Sequence, residues 1–152
     1  MLSSQEEILL PPQNYSNCIG GLRNVGCTRG WFRKADSDLR TAQRTLASDG
    51  PYDTACFHAQ QVAERYLKGL LAFMEQPIPR THNLEELQQL CLTLVPTLEL
   101  TNVDLAELTP YAVQLRYDFE FWPDRETAEQ ALNVAERVQV AVLAVVPQEA
   151  HP

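Results

Sequence analysis

From Trp31 to the end of the chain, apolar residues recur at steps of three and four, the period of a helix with one buried face. Trp31, Ala35, Leu39, Ala42 and Leu46 form a first stripe with charged residues opposite. The stretch "SDGP" at 48–51 ends that helix and starts another. Gly50 marks the break, and Pro51 suits a first-turn position where a missing N–H costs nothing. The second helix, roughly 51–75, is apolar over a wide arc that includes Tyr52, Cys56, Val62, Tyr66, Leu67, Leu71 and Met74. So wide an arc predicts a central helix packed on more than one side. Asn83, with Glu86 three residues on, predicts a capped third helix that buries Leu84, Leu87, Cys91 and Leu94 and stops at Pro96. A fourth helical stretch is expected from about Thr101 to Tyr117, with a kink or restart at Pro110. The last helix is expected to open at Thr127, with Gln130 in the capping-box place. Its stripe of Ala128, Ala131, Ala135, Val138, Val142 and Val145 alternates steps of three and four, and the small alanines permit close packing. No segment alternates as a strand does. The fold class predicted is all-α, an antiparallel up-and-down bundle of four to five helices.

Residues 1–30 break this pattern. "PPQNYSNCIGGLRNVGCTRG" mixes proline, asparagine and glycine without a period, and reads as an irregular N-terminal extension. The bundle is then expected over 31–146, with 147–152 as a C-terminal tail. Within the extension, "GLRNVGCT" at 21–28 has the spacing of a phosphate loop, but Cys27 stands where the lysine belongs and no strand precedes it. It reads as a chance glycine pattern.

Composition narrows the function. The 152 residues suffice for one domain with a real core. A net charge of −8 argues against a broad phosphate-binding surface, which needs an excess of lysine and arginine, and confines any nucleic-acid contact to a local cleft. Charge is uneven: residues 1–34 hold four basic and two acidic residues. No run is apolar over the ~18–20 residues a membrane span requires, and "EEILLPP" lacks the features of a signal peptide, so a cytoplasmic protein is expected. Cysteines 18, 27, 56 and 91 form no C-x-x-C pair and lie near no histidine at zinc spacing, so neither metal nor cofactor is expected. Cys56 and Cys91 read as small buried hydrophobes, and Cys18 and Cys27 as incidental thiols or an adventitious pair.

Four segments in this order carry a family likeness: "WFRKADSDLRTAQ" (31–43), "ACFHAQQVAERYLKGLLAF" (55–73), "THNLEEL" (81–87) and "LTPYAVQLRYDFEF" (108–121). Together they resemble the HEPN domain, and more closely its small prokaryotic members found beside minimal nucleotidyltransferases in toxin–antitoxin-like pairs. The resemblance implies a homodimer, with a nucleotidyltransferase-type protein, a nucleotide or RNA in a local cleft as further partners. Members that cut RNA without metal carry an arginine, four to six residues, then a histidine, and two protomers bring both motifs into one cleft. Histidine suits proton transfer near neutral pH, and a fixed cation stabilises developing phosphate charge. Arg116 occupies the arginine position. The histidine would fall at 121, 122 or 123, which are Phe121, Trp122 and Pro123.

The expected function is therefore a non-catalytic HEPN-like module that binds a nucleotide or a partner protein. The alternative is a metal-independent ribonuclease toxin with a degenerate motif centred on Arg116 and with His58 or an acid as proton carrier. Arg116 and its neighbours Tyr117 and Asp118 are ligand-binding candidates. So are His58, Gln61, Arg65 and Lys68, which helical spacing aligns along one polar edge of the second helix. That edge otherwise reads as a solvated face. His82, before the Asn83 cap, is expected to pack on Leu87. The aromatics Tyr111, Tyr117, Phe119, Phe121 and Trp122 are expected in the core and at a subunit interface, because the acids among them would repel a phosphate backbone.

Overall fold

The computed structural model describes residues 25–113 and 117–152. Among these residues there are four α-helices: α1 (Val25–Ala47), α2 (Tyr52–Phe73), α3 (Leu84–Leu94) and α4 (Arg125–Val145). Short 3₁₀ turns occur at Thr109–Ala112 and Gln148–Ala150, and no strand element occurs among the described residues.

α1 starts at Val25, six residues inside the stretch expected to be irregular, and Thr28 in its first turns is fully buried. Cys27 lies in the same turn and takes part in a disulfide, whereas Cys56 and Cys91 are free and buried. The expected stripe of α1 is buried from Ala35 to Leu46, but at its start the buried ring is Phe32, and Trp31 is only partly covered. Phe32 lies with its ring centre 5.1 Å from that of Tyr66. Gly69 makes the approach possible, since a Cβ there would meet Phe32 Cε1 at 2.5 Å.

The turn into α2 places Gly50 at φ +96°, a conformation L side chains rarely adopt. α1 and α2 run antiparallel, with Phe32 near Tyr66 and Asp38 near His58. α4 runs antiparallel to α1: Arg125 at its start donates to the carbonyls of Leu46 and Ser48, at 2.8 and 3.1 Å, and satisfies acceptors that the end of α1 leaves open. The Arg125 guanidinium also lies 5.3 Å from the centre of the Tyr52 ring. Buried residues of α2 span nearly its whole circumference, as the wide arc predicts of a central helix.

The Asn83 cap is present, its side chain accepting from the Glu86 N–H at 3.1 Å. Three expectations need correction. α4 begins at Arg125, because Asp124 rather than Thr127 is the cap, accepting from the Thr127 N–H at 2.8 Å. Of the stretch expected as a helix over Thr101–Tyr117, residues 101–113 are turns with a 3₁₀ element at Thr109–Ala112, and 114–116 lie outside the described residues. The buried residues over 98–108, Leu98, Leu100, Val103, Leu105 and Leu108, step by two and three, which traces no single helical face. Gln88 of α3 pins this segment by donating to the carbonyls of Leu100 and Val103. The C-terminal residues, lastly, are docked: Ala150 is fully buried and Arg29 of α1 donates to the Glu149 carbonyl.

Candidate functional site

The candidates on α2 do not form a solvated edge. Asp38 projects from the apolar stripe of α1 and meets two of them at once: His58 Nδ1 lies 2.8 Å from one carboxylate oxygen, and Arg65 holds the other in a short ion pair. His58 and Arg65 are two turns apart on α2, so one acid on the facing helix can serve both. The Nε2 atom of His58 makes no hydrogen bond among the described residues.

On the next turns of α2, Glu64 gathers a second cluster. Lys68 Nζ lies 2.8 Å from it, Gln60 Nε2 donates to it at 2.9 Å, and His82 Nδ1 lies 3.0 Å away. Gln61 completes the chain by donating to Gln60 Oε1 at 2.7 Å. Lys68 and Glu64 are both almost fully buried. Burial alone would raise the Glu64 carboxyl, but the adjacent Lys68 ammonium and the hydrogen bonds from Lys68, Gln60 and His82 outweigh it and hold the group below the usual range. Lys68 is therefore committed to a buried pair and is not an open ligand donor. His82, expected against Leu87, instead pairs with Glu64.

Sequence reasoning missed Asp38, Gln60 and Glu64. The signal for Asp38 was present: it sits three residues after Ala35 and four before Ala42, on the buried stripe. Glu64 lies midway between Gln60 and Lys68 at four-residue spacing.

Arg116 lies outside the described residues. The loop that follows it does not lie in the core. Tyr117, Phe119 and Trp122 are 74, 84 and 73% exposed, while Tyr111 and Phe121 stack with ring centres 5.8 Å apart. Asp118 accepts from the Glu120 N–H at 3.1 Å, and Trp122 donates to the Phe119 carbonyl at 3.0 Å, so the loop has a defined turn. The expectation of core packing fails for the three exposed rings.

Burial pushes the Cys56 and Cys91 thiols up to about 12, which leaves no thiolate for nucleophilic attack near neutral pH. Among the described residues no group of three or more histidine, cysteine or acidic side chains is placed to hold a metal ion. No helix among them is long and apolar enough to cross a membrane.

The family model described as the HEPN domain matches residues 28–144. The chain belongs to the HEPN family. This HEPN chain is also similar to a solved structure, that of TT1696 from Thermus thermophilus. The TM-score is 0.62 and the identity 29%, covering 78% of this chain and 98% of the other. No curated protein matches the sequence. The family match begins at Thr28, inside α1 and ahead of the boundary expected at 31. It ends one residue before the last of α4.

Proposed function

We propose that this HEPN domain is a non-catalytic binding module, a homodimer joined through the loop 117–122 that binds a nucleotide or a partner protein, such as a nucleotidyltransferase in a toxin–antitoxin-like pair. One observation carries the reading: three large aromatic rings stand in water within six residues, whereas the other large rings among the described residues are at least partly covered. Aromatic side chains are enriched at interface centres, where burying them supplies most of the binding energy. The intervening Asp118 and Glu120 disfavour a nucleic-acid backbone on this loop and leave a protein surface as the better occupant. A two-fold contact would bury on the order of 1,600 Å². Beside it in the sequence, Arg116 supplies a guanidinium suited to a phosphate or carboxylate.

The absence of histidine at 121–123 supports a domain that does not cut RNA. Sedimentation of the wild type and of Phe119→Ser/Trp122→Ser at tens of micromolar tests the assembly. A dimer that the double variant reduces to a monomer is expected; a wild-type monomer overturns this part of the reading.

A second reading, the metal-independent ribonuclease centred on Arg116, draws on the Asp38–His58 contact. A carboxylate on Nδ1 fixes the imidazole tautomer and leaves Nε2 for proton transfer. Arg65 shares that carboxylate, however, which makes Asp38 the centre of an interhelical clamp.

A further inference from the structure

A second surface lies on the exposed face of α1, lined by none of the residues of the loop 117–122. A groove of about 610 Å³ runs along the helix, lined by Arg33, Asp36, Ser37, Arg40, Thr41 and Arg44, with Pro152 at its edge. Three arginines here are unusual in a chain of net charge −8. α1 carries five basic residues (Arg29, Arg33, Lys34, Arg40 and Arg44) against two acids, of which Asp38 is buried and turned toward α2. Asp36 pairs with Arg40 at 3.0 Å. Among the described residues, no carboxylate pairs with Arg33 or Arg44, and both are exposed.

The three arginines lie along one line of the helix and span about 16 Å at 1.5 Å per residue. Thr41 turns its hydroxyl onto its own helix, at the Ser37 carbonyl, while the Ser37 hydroxyl makes no hydrogen bond among the described residues and stays open as a donor. A line of guanidinium forks with a hydroxyl between them matches an anion that repeats along a chain. We propose that this groove binds the phosphate backbone of a single-stranded nucleic acid. A protein partner would find no apolar centre to bury, since the lining offers nothing hydrophobic beyond Pro152. No aromatic ring lines it either, so bases do not stack and the binding is indifferent to sequence. The acidic remainder of the molecule keeps the affinity low and the salt dependence steep.

Fluorescence anisotropy of a labelled oligouridylate with the full chain tests this. Each phosphate neutralised on a single strand contributes roughly −0.7 to the log–log salt slope, so three arginines predict a loss of about 18-fold in affinity between 50 and 200 mM salt. Arg33→Gln/Arg44→Gln should weaken binding at low salt and reduce the loss over that range to about 3-fold. Both side chains are exposed, and a circular-dichroism melt confirms that the variant folds. Arg80→Gln, an exposed arginine elsewhere, should change neither quantity. Oligodeoxyuridylate should compete as a second phosphate backbone, and inorganic triphosphate only at far higher concentration. An unchanged salt slope in the double variant overturns the proposal. So does displacement by triphosphate or polyglutamate at the concentration at which the oligonucleotide displaces itself, which would assign the groove to a small phosphate or an acidic polypeptide.

Discussion

In the polar seam along α2, toward α1 at Asp38 and toward His82 at Glu64, each of the three buried charges among the described residues, Asp38, Glu64 and Lys68, meets an opposite charge. In the loop from Tyr117 to Trp122, three aromatic rings face water with acids between them. The seam spends its polar groups on one another, so the bonding capacity of those groups is used within the molecule. The loop leaves its apolar groups uncovered, and its bonding capacity points outward. Clustered titratable groups that satisfy one another need no ligand, whereas an exposed apolar run leaves surface that a partner could cover.

Breaking the seam should have the largest effect. Glu64→Ala leaves the Lys68 ammonium buried without a partner, and should destabilise the fold by about 3–5 kcal/mol in urea denaturation. The same carboxylate gives the seam a pH signature. Its folded pKa is held below its ordinary value, so the stability it contributes is complete above the ordinary carboxylate pKa. That stability is lost as pH falls through the lowered folded value. Wild-type denaturation midpoints should fall over that acid range, and Glu64→Ala should show a shallower fall. An equal fall in both would show that Glu64 is not protected.

Gly69→Ala is expected to come next. The added methyl enters the space of Phe32, which is fully buried and cannot swing aside. Overpacking of this kind costs about 1–3 kcal/mol, more than the roughly 1 kcal/mol that alanine gains over glycine in a helix. A more stable variant would mean that α1 and α2 can move apart freely.

The loop should respond least in stability. Phe119→Ser/Trp122→Ser removes rings that touch little within the chain, so the unfolding free energy of the separated subunit should stay within about 0.5 kcal/mol. Any effect should appear in the concentration dependence of melting. A loss comparable to that of Gly69→Ala would place the rings in the fold and dissolve the contrast between the two regions.

Much of the fold was legible in the sequence because amphipathic stripes are set by local spacing. The wide arc of α2, the Asn83 cap and the alanine–valine stripe of α4 all rest on residues a few positions apart. The loop 95–112 was not legible as turns, because its order comes from Gln88 reaching across from α3 and from turn bonds that leave no period. The start of α1 was masked by glycines at 26 and 30, which weaken a helix without preventing it when tertiary contacts such as Thr28 and Arg29 hold the end. Of the candidate site, spacing set His58, Gln61, Arg65 and Lys68 on one polar edge, whereas the structure divides them, His58 and Arg65 meeting Asp38, Lys68 meeting Glu64 and Gln61 bonding to Gln60. Spacing gave them to solvent because their partners Asp38 and Glu64 are acids, which pattern reading assigns to the surface by default.

Whether this HEPN domain leaves RNA uncut can be measured. A general acid or base contributes typically about 10²–10⁴-fold to a proton-transfer step, and the arginine-centred motif here lacks its histidine. Incubating the wild type, Arg116→Ala and His58→Ala with structured and single-stranded RNA in the presence of a chelator measures this directly. The prediction is no cleavage above background by any of the three. Cleavage by the wild type that disappears in Arg116→Ala would contradict the account, and its loss in His58→Ala as well would name Asp38 and His58 as the catalytic pair.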